Sequence, residues 1–326
     1  MKPNVSIIIP HFNRSHLLKQ TIDSVNQQTY KNWELIIVDD GSDDAELEKI
    51  REYANAKNIK VLQRSGGIKG PSSCRNQGVK ISSGEYLLFL DSDDLLAPFC
   101  IEQRIAAMTS SKQTNMGIFV MENFKDYPGD TRTNFNINTS LENSVSLFLQ
   151  NNNPWNVTCP IWKKDFFEKV GGFDEELLFM EDPELHLRAI NYPGAEIKTF
   201  YDHPADCYYR INHIDDTKKG FYYNSIFYRI LFYKKILEKY NNDFITNNTH
   251  YIKKGIYALI KTFLYSRKNQ FPGLYNDLKK LMKESTLFSL YEIRKISFLV
   301  DLGNTESGFL KKMKVRGICY QLLPCN

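Results

Sequence analysis

The sequence predicts an α/β fold with a mostly parallel central sheet, followed by a helical C-terminal region. Three observations carry this reading. Across the first two thirds of the 326 residues, short apolar runs alternate with segments whose apolar residues recur at helical spacing, which is the pattern of strand–helix–strand units. After about Asp216 the strand signals fade, and helical segments rich in Tyr, Phe, Leu, Ile and Lys take over. The charge divides at the same place. Residues 1–217 hold 22 Lys+Arg against 31 Asp+Glu, and residues 218–326 hold 20 against 7, within a chain of net charge +4. An acidic domain over 1–216 and a basic region over 217–326 follow, and the asymmetry points to different partners for the two.

Taken in order, "VSIII" (5–9) is a buried strand, and a helix from about Ser15 to Gln28 carries Leu17, Leu18, Ile22 and Val25 on one face. "WELIIVDD" (33–40) is the second strand, with a helix through Leu47 and Ile50 after it. "IKVLQ" (59–63) is the third, then a helix near Ser73–Ser82, and "EYLLFLD" (85–91) is the fourth. Beyond Asp94 the pattern loosens to a helix around Ile101–Thr109, a strand "MGIFVME" (116–122) and a polar stretch at 123–140 that reads as loop. Residues 158–190 combine a strand, a helix, a Gly-Gly turn and a helix beginning at Pro183. No apolar run approaches the roughly 20 residues needed to cross a bilayer. The N-terminal apolar run meets Pro10 too soon for a signal peptide and reads as the first strand. Cys74, Cys100, Cys159, Cys207, Cys319 and Cys325 have no metal-ligand spacing and read as reduced thiols of a cytoplasmic protein.

In an open parallel sheet, ligands bind beyond the carboxyl ends of the strands. Those ends here carry "PHFNR" (10–14), "DDGSDD" (39–44) and "DSDD" (91–94). Asp91 and Asp93, two apart at a strand end, can hold Mn²⁺ or Mg²⁺ through oxygen, the remaining ligands coming from water and phosphate. A solvated turn is the plainer alternative. For "DDGSDD" the turn-forming residues Asp39, Asp40 and Gly41 and a helix cap at Asp43 or Asp44 suffice. Neither G-x-G-x-x-G nor G-x-x-x-x-G-K-[ST] is present, so phosphate must be met by metal and by cations such as Arg75 in "GPSSCRNQG". Arg75 could equally pair with a nearby carboxylate. Gly171-Gly172 supplies a turn at positive φ, Trp155 and Trp162 either stack on a sugar or fill a core, and Asp182 before Pro183 suits a helix cap.

The segments "VSIIIPHFNR", "ELIIVDDGSDD", "CRNQGVKISSGEYLLFLDSDD" and "VGGFDEELLFMEDPELHLRA", in this order and spacing, resemble the inverting family 2 glycosyltransferases of the GT-A fold over roughly residues 4–212. The resemblance implies a nucleotide-sugar site in which Pro10, Phe12 and Arg14 shape the pocket. Asp39 would contact the base, Asp91 the ribose side, Asp93 the metal, and Arg75 the diphosphate, with Ser92 among the nucleotide-sugar-binding residues. It implies Asp182 as catalytic base, with Glu181, Gly172 and Trp162 near the sugar or acceptor, and it places His213 where some relatives hold a metal or phosphate ligand. The expected reaction is metal-dependent transfer of a hexose-type sugar from a nucleotide-diphospho-sugar, most often UDP-linked, to a glycan or lipid-linked hydroxyl in bacterial surface-polysaccharide synthesis.

Two rivals are weighed against this. A phosphatase with an aspartate nucleophile also ends a strand in Asp-x-Asp, but its motif continues with Thr or Val near the start of the domain, whereas this one continues with Asp94 after three strands. A non-catalytic nucleotide- or glycan-binding protein on the same scaffold is the second. For the basic region, Lys234, Lys235, Lys253, Lys254, Lys279, Lys280, Lys311, Lys312 and Lys314 lie among apolar residues without any nucleic-acid recognition motif. An anionic membrane surface on the cytoplasmic side or a lipid-diphosphate acceptor suits that charge, and a homo-oligomer contact suits the apolar content.

Overall fold

The computed structural model describes residues 4–211, 220–305 and 314–324. Its contacts divide the chain into two units, Met1–Leu141 with Asn153–His213, and Glu142–Asn152 with Ile214–Asn326.

The first unit is built on β1 (Val5–His11), β2 (Trp33–Asp39), β3 (Ile59–Gln63) and β4 (Tyr86–Phe89), all parallel, with Val5 opposite both Trp33 and Tyr86. β1 and β2 are covered on both faces, which is why they read as continuous apolar runs. The connecting helices are α1 (Ser15–Asn26), α2 (Asp44–Arg51) and α3 (Pro71–Ile81). α3 lies so close to β1 that a Cβ on Gly78 would stand 2.5 Å from a methyl of Ile8.

Beyond β4 the structure departs from a simple parallel sheet. β5 (Leu95–Leu96) and α4 (Cys100–Ser110) come next, and the expected strand at 116–122 is two strands, β6 (Met116–Ile118) and β7 (Met121–Phe124), in different sheets. Phe119, fully buried and bonded through its N–H to the Cys159 carbonyl, marks the point of exchange. The stretch expected to be loop contributes the end of β7 and a short β8 (Thr133–Asn134). After α5 (Leu141–Leu149), β9 (Pro160–Lys163) runs antiparallel between β4 and β6. α6 (Lys164–Val170), α7 (Glu181–Ile190), β10 (Ile197–Thr199) and β11 (Cys207–Arg210) complete the unit. The large sheet has the order β10-β6-β9-β4-β1-β2-β3, and β5-β11-β7-β8 form a second sheet. A fully buried pair, Arg104 of α4 donating to both oxygens of Asp206 at 2.9 and 2.6 Å, ties the approach to β11 onto α4.

The second unit is helical: α8 (Phe221–Lys239), α9 (Asn242–Leu259) with a π-helical turn at Ile260–Leu264, α10 (Pro272–Glu284), α11 (Leu290–Gly303) and α12 (Val315–Leu322). Ile226, Phe232, Tyr233, Ile252, Leu264, Tyr275 and Val300 form its core. The Tyr233 hydroxyl donates to the Leu149 carbonyl at 2.9 Å and accepts from Asn151 at 2.6 Å, so residues 142–152 pack with these helices. Among the described residues no helix is long and apolar enough to cross a membrane. Cys74, Cys100, Cys159, Cys207 and Cys319 are free and buried. His213, Lys311, Lys312 and Cys325 lie outside the described residues.

Candidate active site

Because β1, β2 and β4 are parallel neighbours, the loops after them open at one edge of the sheet. The first two loops are cross-linked. The Asp40 N–H donates to the His11 carbonyl at 2.8 Å, the Asn13 N–H to Ser42 Oγ at 2.9 Å, and the Asp43 N–H to Asn13 Oδ1 at 2.9 Å. Asn13 accepts positive φ to make this junction, as Asn does more readily than most residues. Asp39 is fully buried, and its Oδ2 accepts the N–H groups of Gly41 and Ser42 at 3.0 Å each while Oδ1 accepts from Ser42 Oγ. The turn expected of Asp39 and Gly41 is therefore realised, whereas Asp43 occupies the cap position of α2 without a side-chain capping hydrogen bond. Phe12 stands 43 % exposed, with Lys69 Nζ 3.8 Å from its ring centroid. Pro10 is partly exposed one residue before the end of β1.

The acidic motif is a turn closed by the Asp94 N–H donating to the Asp91 carbonyl at 3.1 Å. Asp91 accepts from Arg75 at 2.7 Å and Asp93 from Arg14 at 2.8 Å, so the two carboxylates face two different cations. Ser92 is nearly buried. Arg75, 3 % exposed, also donates to Glu181 at 3.2 Å and thereby joins the end of β4 to the start of α7. Burial opposes its charge, but Asp91 and Glu181 outweigh it and hold the guanidinium firmly protonated. The reading of Arg75 as a cation paired with nearby carboxylates is the one the structure draws.

Glu181 and Asp182 open α7. The helix starts at Glu181, with Met180 at positive φ in the cap position, so Pro183 is its third residue and Asp182 lies within the first turn rather than at the cap. This corrects the expected start at Pro183. Burial raises the Asp182 carboxyl well above its ordinary range, and the neighbouring Glu181 raises it further. Burial likewise raises Asp94, with Asp91 and Asp93 adding to it, and raises Asp93, with Asp91 adding.

Two side chains that sequence reasoning passed over hold this arrangement. Arg210 of β11 donates from Nε to the Asp93 carbonyl at 2.8 Å and from Nη2 to Gln20 Oε1 at 2.8 Å, its backbone N–H donates to Asp94 Oδ1 at 3.0 Å, and its guanidinium lies 4.4 Å from the Phe124 ring centroid. Asn76 donates to the Phe173 carbonyl at 2.9 Å and to Glu175 at 3.0 Å, and accepts from the Phe173 N–H at 3.0 Å. Gly172, at φ 69°, makes the expected turn, but what its backbone approaches is Asn76: a Cβ there would lie 2.9 Å from Asn76 Oδ1. Trp162 is not at the site. It is fully buried in β9, its ring 6.0 Å from His186 and 6.1 Å from Phe166, because its strand sits in the middle of the sheet. Trp155 is likewise core.

Among the described residues no group of three or more His, Cys, Asp or Glu is arranged to hold a metal. The donors at the motif are nonetheless hard oxygens, Asp91 is 31 % exposed, and the buried Asp94 Oδ2 has no hydrogen-bond partner. Such a set fits a divalent ion that completes its shell with water and diphosphate, and does not fit an all-protein cage.

Residues 6–167 match the family described as Glycosyl transferase family 2. The chain is 40 % identical over 104 residues to the UDP-Glc:alpha-D-GlcNAc-diphosphoundecaprenol beta-1,3-glucosyltransferase WfgD of Escherichia coli, a match covering 32 % of this chain and 40 % of that relative's length. Its fold is similar to that of S. aureus TarS 1–349 in complex with UDP-GlcNAc, with TM-score 0.65, 19 % identity and coverage of 91 % of this chain and 87 % of the other. The mannosyltransferase PcManGT of Pyrobaculum calidifontis, in complex with GDP-Man and Mn²⁺, superposes with TM-score 0.54 at 15 % identity, covering 98 % of this chain and 86 % of that one. With its GT-A architecture and the order of its strand-end motifs beside this match, residues 6–167 form a glycosyl transferase family 2 domain.

Proposed function

We propose that the protein transfers a hexose-type sugar from a UDP-linked donor to a hydroxyl of a glycan or lipid-linked acceptor in bacterial surface-polysaccharide synthesis, inverting the anomeric centre. The observation that carries this reading is the bridge made by Arg75 between Asp91 and Glu181, which draws the strand-end carboxylates and the start of α7 into one charged cluster. The UDP-GlcNAc complex of TarS and the substrates in the name of the E. coli relative support UDP and a lipid-diphosphate acceptor.

In this reaction the Asp182 carboxylate takes the proton of the acceptor hydroxyl. The freed oxygen then bonds to the anomeric carbon as that carbon's bond to the diphosphate oxygen breaks. A base works best with its pKa moved toward the operating pH, and burial beside Glu181 moves Asp182 that way. Arg75, closed off and tied to two carboxylates, acts as a positioning residue. Arg14, 49 % exposed, is the cation of the cluster open to an incoming diphosphate, and Phe12 offers a face to the base. Asp39 would meet the base with lone pairs left over from its own turn. Asp91 and Asp93 would hold Mn²⁺ or Mg²⁺, which when bound supplies positive charge to the leaving group.

A ligand that binds only the native state raises its melting temperature. In a screen of UDP-, GDP- and dTDP-sugars with Mn²⁺ or EDTA, we expect UDP-sugars with Mn²⁺ to give the largest shift and Asp93→Asn to abolish its metal-dependent part. Equal shifts with Mn²⁺ and EDTA would remove the metal from the scheme, and no shift with any donor would remove the donor. The proposed lipid-linked acceptor puts the reaction at a membrane surface, which the basic second unit suits.

A further inference from the structure

α11 buries one side and leaves the other to solvent. Ile293, Ile296, Leu299 and Val300 face the core of the second unit, and its start is fixed by a capping box between Ser289 and Glu292. The outward positions are Leu290, Tyr291, Arg294, Lys295 and Phe298, one face at helical spacing. Leu290 is 63 %, Tyr291 74 % and Phe298 63 % exposed. Three large apolar groups thus project from a single helix about 21 Å long, with two cations between them. The acids of this helix are already engaged: Glu292 with Ser289 and Lys253, and Asp301 with Lys268 at 2.8 Å. Arg294 and Lys295 have no ion-pair partner among the described residues.

We propose that this outward face of α11 is an interfacial membrane contact that docks the enzyme on a bilayer rich in anionic lipid. Apolar side chains at the two ends enter the headgroup boundary, and Arg294 and Lys295 meet lipid phosphates along the middle of the face. The charge decides between a bilayer and a second copy of the chain. The core of a protein interface is depleted of lysine, because burying an ammonium is costly, whereas at a bilayer a long basic side chain lays its stem on apolar groups and keeps its charge in the headgroup layer. Tyr291 has the amphipathic ring favoured at such a boundary. The surrounding sequence adds to the attraction, since residues 218–326 hold 20 Lys+Arg against 7 Asp+Glu. This face deepens the reading of a membrane-borne acceptor, and it is tested apart from the donor site.

The test is sedimentation of the full chain with vesicles of phosphatidylglycerol and phosphatidylcholine, and with vesicles of phosphatidylcholine alone, at low and high salt. Wild type is expected to sediment with the anionic vesicles at low salt and to be released by high salt. Arg294→Glu with Lys295→Glu should weaken partitioning at least about tenfold. Phe298→Ser with Tyr291→Ser should abolish it while keeping the circular dichroism spectrum and the affinity for UDP. Sedimentation that ignores all four substitutions overturns the assignment. So does a wild type that stays off vesicles, whether it is a monomer or a dimer that light scattering shows falling to monomer on Phe298→Ser. A failure of UDP binding in wild type would count against the donor site and leave the vesicle result standing.

Discussion

Asp182 sits one residue inside α7, behind a left-handed Met180 that occupies the cap position, so it is a first-turn acid and not the capping residue. What its position does give is a group partly open to solvent, close to Glu181 and Arg75, whose pKa burial and Glu181 push well above the ordinary 3.8. A general base acts as its carboxylate, so with Asp182 in that proposed role transfer is expected to rise with pH through its raised value. We expect the acid limb of kcat/KM to lie above the range of an exposed aspartate. Asp182→Asn should lose at least about 10²-fold in transfer while binding UDP with unchanged affinity in calorimetry. Transfer that survives the substitution nearly intact would take the role of base away from this residue.

At the scale of elements, the contact between α3 and β1 sets how Arg75 reaches the strand ends. Gly78 lies in mid-helix, where glycine is about 1 kcal/mol worse than alanine in propensity. Its reason is the Ile8 methyl 2.5 Å from where a Cβ would be. Gly78→Ala is therefore expected to destabilise the protein by about 1–3 kcal/mol through overpacking, read by urea unfolding; a stabilised variant would mean that β1 yields easily. The parts of the fold legible in the sequence were the local ones. β3 at 59–63 and the run of carboxylates at strand ends show in period and composition alone. The division of 116–122 between β6 and β7 does not, because both halves are equally apolar and their separation depends on β9 arriving from more than thirty residues away. Asn76 and Arg210 escaped for the same reason. Their partners, Phe173 and Asp93, lie 97 and 117 positions distant, and nothing in a local window marks an asparagine or arginine as the clamp of a remote loop.

Over the molecule as a whole, two sets of ionisable groups pull stability in opposite directions with pH. Burial raises the site carboxylates Asp93, Asp94 and Asp182, so each takes up a proton more readily folded than unfolded. They weaken the fold at neutral pH, and that penalty fades as pH falls through their raised values. His186 and Glu34 act the other way. Burial, with Arg75 adding, lowers His186 from 6.5 to about 3, so its contribution is lost as pH drops through that interval. Glu34 is nearly buried on β2, and burial alone would raise it. Lys60 of β3, Ser6 of β1 and the Ser83 N–H and hydroxyl ahead of β4 all donate to it and bring it down from 4.5 to about 2. One carboxylate thus stitches four neighbouring strands at the end of the sheet away from the active site. A depressed acid contributes stability that is fully present above its unfolded value and is lost as pH falls toward its folded one. Glu34→Gln should therefore lower unfolding free energy by about 1–3 kcal/mol at neutral pH, with the gap to wild type constant above pH 4.5 and closing between 4.5 and about 2. Taking the difference between the two proteins cancels the titration of the site carboxylates and of His186, which both share. A gap that stays the same down to the acid end would show that Glu34 holds the strands by shape and neutral hydrogen bonding, without help from its charge.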